Sequence, residues 1–335
     1  MKKPLSCGEA LMDLLAGYGV DTVFGMAGTM TVELYRGIAR SGIRHVQCRN
    51  EQGASLMADG YARATGRPGV CTIIGGPGVT NAATGIAQAW CDSQPMLVIS
   101  GACATPTLGK GWGAIHELDD QAAVTSGFTA LSAMVRDPVE LPELLARAFG
   151  GFSSGRPRPV HLSLPRDLLP LQLPADARWH PWPVPARPLP DPASIERAAT
   201  LLAGAQRPFI LVGGGAAGTR EPLTAIASAL GAPVLATNAG KGILPHSHPL
   251  SLGGSILQQA SQQALADADV VLLVGSEVSA GDHFLQRLEI PGAIVRIDID
   301  AAELGSVYAP TVPILGDAGA AMRALAGALA RQGVA

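Results

Sequence analysis

Charge is scarce and nearly balanced in this chain of 335 residues: 24 Lys+Arg face 27 Asp+Glu, charged residues are 15% of the total, and the formal net charge is −3. With no Lys/Arg block, nucleic-acid binding is excluded as the main role. Aromatics are also sparse at 4%, yet hydrophobic residues reach 47%, which is too apolar for disorder. No apolar run attains the roughly 18 residues that a membrane-spanning helix needs. The five cysteines, Cys7, Cys48, Cys71, Cys91 and Cys103, are scattered and form no C-x-x-C pair. No disulfide frame or zinc site is expected from them, and reduced thiols point to the cytoplasm. The start runs from Lys2-Lys3-Pro4 straight into an amphipathic pattern containing Glu9 and Asp13, unlike a signal peptide.

What is present is an alternation of short apolar runs with helical periodicity. Ser6 and Glu9 read as a capping box, followed by a stripe of Leu11, Leu14 and Leu15. Strands are predicted at 22–25, 43–48, 70–74, 96–100 and 160–164, with helices at 31–40, 52–65, 80–90 and 139–149. Eight prolines crowd the stretch from Pro170 to Pro192 and bar helix or central strand there. The pattern then restarts, with strands at 209–213, 234–237, 270–275 and 294–299 and a last helix at 318–331. The expectation is α/β throughout: two doubly wound parallel-sheet domains, residues 1–170 and 192–335, joined by an extended Pro-rich linker at 171–191.

Ligands of parallel sheets sit beyond the carboxyl ends of the strands. In the first domain those ends lead into Gly25-Met26-Ala27-Gly28, Arg49-Asn50-Glu51, Gly75-Gly76-Pro77-Gly78-Val79-Thr80-Asn81, and a loop running to His116-Glu117-Leu118-Asp119-Asp120-Gln121. Their gathering on one rim carries more weight than any one motif. Glu51 suits a helix start on dipole grounds alone, or it is a partly buried acid that bonds a heterocycle. Gly76-Pro77-Gly78 is either a tight turn or a place for close backbone approach to a ligand, with Thr80 and Asn81 offering hydrogen bonds.

The run Arg49-Asn50-Glu51-Gln52-Gly53-Ala54 through Met57-Ala58-Asp59-Gly60-Tyr61-Ala62-Arg63-Ala64-Thr65-Gly66 resembles the signature of thiamine-diphosphate-dependent enzymes of the acetolactate synthase and 2-oxo acid decarboxylase group. Gly76-Pro77-Gly78 with Thr80-Asn81 fits that group, as does Val23-Phe24-Gly25, although Ala27 stands where the family usually has Pro. Gly240-Lys241-Gly242, Leu244-Pro245, His248-Pro249-Leu250 and Ile297-Asp298-Ile299-Asp300 extend the resemblance into a Rossmann-like middle domain. It implies that residues 1–170 bind the cofactor pyrimidine through Gly25, Ala27, Gly28, Gly76, Pro77, Gly78, Thr80 and Asn81, with Glu51 as the activating acid. A carboxyl bonded to the pyrimidine N1′ favours the imino tautomer, whose exocyclic nitrogen can take the thiazolium C2 proton.

The His116-Glu117-Leu118 run with Asp120-Gln121, and Glu289-Ile290-Pro291-Gly292 later, most resembles the 5-guanidino-2-oxopentanoate decarboxylase subgroup. That implies a small 2-oxo acid substrate, with His116 and Gln121 in catalysis. A guanidinium would suit Glu117, Asp119 and Asp120; the alternative is solvated loop charges and a structural His116. The family binds diphosphate through Mg2+ in a C-terminal domain marked by Gly-Asp-Gly. That triplet is absent here, since Gly281-Asp282-His283 and Gly316-Asp317-Ala318 both fail at the third position. No protein metal ligand is therefore expected in this sequence. The resemblance implies a homo-oligomer, dimer or tetramer, or a separate diphosphate-binding subunit, and a chain inactive without that domain. Gly213-Gly214-Gly215-Ala216-Ala217-Gly218 matches G-x-G-x-x-G, but the next strand ends in Thr237-Asn238-Ala239 without the acid a nicotinamide site wants. A structural turn is favoured there; some relatives hold FAD in this domain, and nothing in the sequence supports it. An acetolactate synthase-like carboligase, a noncatalytic homologue pairing with a full-length enzyme, and a nicotinamide oxidoreductase remain as alternatives.

Overall fold

The computed structural model describes residues 4–174 and 178–334. The chain divides into two compact units between Ala186 and Arg187, inside the Pro-rich stretch. The first unit contains α1 (Cys7–Gly17), β1 (Thr22–Gly25), α2 (Val32–Ser41), β2 (Arg44–Gln47), α3 (Glu51–Thr65), β3 (Gly69–Ile73), α4 (Pro77–Cys91), β4 (Met96–Ala102), α5 (Gln121–Ser126), β5 (Leu131–Met134), α6 (Leu141–Ser154) and β6 (Val160–Pro165). Its six strands are all parallel, in the order β2-β1-β3-β4-β6-β5.

Alternation along the central strands sorts side chains to two cores, as the period of two requires. Val70, Leu97, Ile99 and Leu162 face a cluster with Leu11, Leu15, Leu34, Leu145 and Phe149. Cys71, Ile73 and Val98 face Ala54, Ala58, Val79 and Ile86 from α3 and α4. The capping box of α1 forms in full: Ser6 N–H donates to Glu9 Oε2 at 2.9 Å and Glu9 N–H to Ser6 Oγ at 3.2 Å. Ser6→Ala should lower unfolding free energy by about 1 kcal/mol, read from urea melts. The stretch after Pro170 is not free at its start, because Leu169, Leu171 and Leu173 exchange backbone hydrogen bonds with residues 5–8. Residues 175–177 of the expected linker lie outside the described residues, and 178–190 carry neither helix nor strand.

His161 is the one fully buried histidine on β6, and burial pushes its pKa down from 6.5 to about 4. The unfolded chain therefore binds a proton that the native chain refuses between those two values. Stability should fall as pH drops from 6.5 towards 4, by up to roughly 3 kcal/mol. Urea melts across that window measure the slope, and His161→Phe should remove it.

The second unit contains α7 (Pro192–Ala203), β7 (Pro208–Val212), α8 (Arg220–Leu230), β8 (Val234–Ala236), β9 (Ser251–Gly253), α9 (Gln259–Ala266), β10 (Val270–Val274), α10 (Ala280–His283), β11 (Ala293–Asp298), α11 (Ala301–Leu304), β12 (Val312–Leu315) and α12 (Ala318–Arg331). Its parallel sheet runs β12-β11-β10-β7-β8-β9. All five cysteines are free, and only Cys91 is exposed. Among the described residues no helix is long and apolar enough to cross a membrane.

Candidate functional site

The chain leaves β1 towards β2 and returns to the other side of β1 with β3, so strand order reverses between β1 and β3. Loops leaving neighbouring strands in opposite directions open a crevice at that point. Gly25-Met26-Ala27-Gly28 leaves β1 there and Ile74-Gly75-Gly76 leaves β3. Gly25 permits close packing, since a Cβ would strike the Thr72 carbonyl. Gly28 lies against Ile74, where a Cβ would come within 2.7 Å of Cδ1. Ala27 is exposed.

Glu51 is the first residue of α3, and Asn50 caps the helix by accepting from Gln52 N–H at 2.8 Å. The unsatisfied amides of a helix start favour a carboxylate there. Its surroundings exceed that role, because Glu51 is only 6% exposed. Asn81 Nδ2 donates to Oε2 at 3.0 Å, and Gly78 faces Oε1 so closely that an added Cβ would lie 3.2 Å from it. Ile74, which sequence reasoning left as the end of a strand, is the hub of this packing. Its side chain lies against both Gly28 and Gly78.

Helix α4 begins at Pro77, three residues before the predicted start, because proline suits the first helical position. Thr80 and Asn81 therefore sit inside its first turns. Asn81 reaches across to Glu51, whereas Thr80 Oγ1 turns back to its own Pro77 carbonyl at 3.0 Å. The turn before the helix is held by Gln121. Gly76 N–H donates to Gln121 Oε1 at 2.8 Å, and Gln121 Nε2 lies 3.0 Å from Ser100 Oγ, 2.9 Å from Gly101 O and 3.0 Å from Ser163 Oγ. Its amide is thus fully engaged by protein atoms.

The 104–120 loop closes on the same turn. His116 packs its carbonyl and Cβ against Gly76 and adopts φ +59. Its Nδ1 is buried with no hydrogen-bond partner among the described residues. Two of the three loop acids have local duties. Glu117 accepts from Gly111 N–H at 2.7 Å and Ala114 N–H at 3.0 Å; partial burial raises its pKa, backbone N–H groups of the loop outweigh that, and the net shift is downward. Asp120 caps α5 by accepting from Ala123 N–H at 3.0 Å. Asp119 is exposed, and its carboxylate makes no hydrogen bond among the described residues.

Two family descriptions match the chain: "Thiamine pyrophosphate enzyme, N-terminal TPP binding domain" over residues 5–124 and "Thiamine pyrophosphate enzyme, central domain" over residues 195–325. The chain belongs to the thiamine pyrophosphate enzyme family. It is 48% identical over 329 residues to a probable 2-ketoarginine decarboxylase, AruI, of Pseudomonas aeruginosa, a match that covers 97% of this chain and 58% of that protein. It is 36% identical over 337 residues to a probable acetolactate synthase large subunit of Methanocaldococcus jannaschii, covering 96% of this chain and 56% of that one. With the acetolactate synthase isozyme 3 large subunit of Escherichia coli it shares 36% identity over 329 residues, 94% of this chain and 56% of that protein. The chain thus spans a little over half the length of these relatives.

The second unit of this chain also has a switch point, between β7 and β10. Gly213 and Gly215 sit there, packed backbone to backbone on Gly275: a Cβ on Gly215 would lie 2.9 Å from Gly275 Cα, and one on Gly213 would lie 2.5 Å from Ser276 Cβ. That close approach accounts for the glycines without a dinucleotide. Asn238, after β8, donates its N–H to Asp282 at 2.9 Å. Among the described residues no group of three or more His, Cys, Asp or Glu side chains is placed to hold a metal ion.

Proposed function

We propose that this chain supplies the pyrimidine-binding half of a thiamine-diphosphate-dependent 2-oxo acid decarboxylase, with residues 1–170 as the pyrimidine-binding domain, 171–191 as linker and 192–335 as the middle domain. One observation carries this: Glu51 is buried at a helix start, on the rim where β1 and β3 diverge, between Gly78 and Asn81. The donor set suits an aminopyrimidine. It combines a buried carboxyl with a buried imidazole nitrogen on His116 that has no partner among the described residues, beside a turn whose Gly76 and Gly78 are packed tightly against His116 and Ile74.

Bound thiamine diphosphate would supply the carbanion chemistry at its thiazolium C2. Glu51 would hold a proton at its carboxyl, opposite a pyrimidine nitrogen, with Asn81 fixing the other oxygen. Gly25, Ala27, Gly28, Gly76, Pro77, Gly78 and Thr80 would line the crevice. Gln121 would act by holding Gly76 rather than by touching substrate. His116 Nδ1, facing inward beside Gly76, would move a proton to or from the reacting acid. We assign diphosphate and Mg2+ binding to a domain outside these 335 residues, on the same polypeptide or on a partner subunit. An oligomeric enzyme of the cytoplasm is the matching setting. FAD is not part of the assignment.

The substrate we assign is 5-guanidino-2-oxopentanoate, which is 2-ketoarginine. Support comes from the higher identity to a decarboxylase of that name than to acetolactate synthases. Asp119 is the loop acid left for the guanidinium, since Glu117 and Asp120 are held by backbone amides. The acetolactate synthase-like matches favour the second reading, carboligation of pyruvate. A substrate panel offered to the assembled enzyme separates them. Release of carbon dioxide from the guanidino acid, faster than acetolactate formation from pyruvate, is expected; the reverse order would transfer the assignment to the synthase.

A further inference from the structure

The Gln121 amide is the near end of a longer buried chain of hydrogen bonds. Ser100 Oγ on β4, next to Gln121 Nε2, lies 2.7 Å from Nε2 of His161 on β6. Across the ring, Nδ1 lies 2.7 Å from Thr125 Oγ1 on α5, which lies 2.9 Å from Ser132 Oγ on β5. Ser132 Oγ donates to Ala122 O at 2.7 Å. Ser163 stands beside the Ser100 step, its Oγ 3.3 Å from His161 Nε2. Ser100, Thr125 and His161 have no exposed surface.

The two ends dictate the direction of every link except that between Ser100 and the ring, which distance decides. A backbone N–H only donates, so the Gln121 atom facing Gly76 is its oxygen, and its nitrogen faces Ser100. A carbonyl only accepts, so the Ser132 proton points at Ala122. Ser132 Oγ then accepts from Thr125, and Thr125 Oγ1 accepts from His161 Nδ1–H. Nε2 of a neutral ring is then the nearer acceptor for the Ser100 proton, at 2.7 Å, against 3.4 Å for Ser163 Oγ.

We propose that His161, as the neutral Nδ1–H tautomer, is a positioning residue that sets the Gly75–Gly76 turn through Ser100 and Gln121, and so places Gly78 against Glu51. Without the ring nitrogens, Ser100 loses its nearer acceptor and its fixed orientation toward Gln121 Nε2, and the Gln121 amide that holds Gly76 N–H keeps only Gly101 O and Ser163 Oγ as firm anchors. The inference rests on the cofactor role assigned to Glu51, but its first test does not. Long-range 1H–15N spectra of the histidine-labelled chain at neutral pH, with His161→Phe to identify the signal, should show a protonated Nδ1 and a bare Nε2. An Nε2–H tautomer or an imidazolium would overturn the proposal.

The second test is a double-mutant cycle in the enzyme assembled with its diphosphate-binding domain. His161→Phe should slow exchange of the cofactor C2 proton about tenfold, and should change it less than about twofold in a Gln121→Leu background, because the ring acts only through that amide. Equal effects in both backgrounds would show a packing role and sink the idea. Wild-type exchange in His161→Phe, with exchange lost in Glu51→Gln, would end the inference and leave the Glu51 assignment standing. Wild-type exchange in both variants would end both. If His161→Phe does not fold, Ser100→Ala breaks the same link and replaces it in the cycle.

Discussion

Glu51→Gln should lower turnover by roughly 10²–10⁴-fold, the span associated with losing a positioned acid–base group. The amide is nearly isosteric with the acid and can still accept from Asn81, so the packing against Gly78 survives. What disappears is the ability to hold a proton at the oxygen that Asn81 does not occupy. The cost to folding should stay within about 1 kcal/mol, since the carboxylate's main stabilising partner is the start of α3. Steady-state rates at saturating cofactor, with urea melts of the same preparation, make the comparison. Turnover near the native rate would remove Glu51 from the chemistry.

Gly76→Ala is the second large effect, and here folding and activity should fall together. Gly76 has φ +57 and ψ −113, a backbone region that side chains avoid. A Cβ would meet the His116 carbonyl and lie 2.9 Å from its Cβ. Backbone strain alone costs about 1–3 kcal/mol. Relief would push the 104–120 loop away and draw Gly76 N–H off Gln121. Gly60 is the control: it is an exposed glycine inside α3, with nothing within 4 Å of an added Cβ. Gly60→Ala should stabilise the chain by about 0.5–1 kcal/mol. Urea midpoints of the two variants should therefore move in opposite directions.

The strands that carry the site were readable because they are buried apolar runs between helices. Thr22–Gly25 was read to the residue, and the runs at 70–74 and 96–100 were placed within one or two residues. β5 escaped notice because Leu131-Ser132-Ala133-Met134 is a half-buried edge strand with weak apolar character. The early start of α4 was hidden by Gly-Pro-Gly, which signals a turn as strongly as it signals a proline at a helix start. Glu51 stood out through its setting among loops on one rim. The duties of Glu117, Asp120 and Gln121 could not be read in the same way. Glu117 is occupied by amides of its own loop, and Gln121 by Gly76, β4 and β6, residues distant in sequence whose meeting depends on the sheet order β4-β6-β5. Ile74 gave the signal of an ordinary core residue and nothing more.

The most direct measurement is a crystal structure of the enzyme assembled with its diphosphate-binding domain and loaded with thiamine diphosphate. A carboxyl oxygen of Glu51 should stand within about 3 Å of the pyrimidine N1′, with the ring lying over the Gly76-Pro77-Gly78 turn. Density that seats the pyrimidine elsewhere, with Glu51 still bonded only to Asn81, would contradict the central claim.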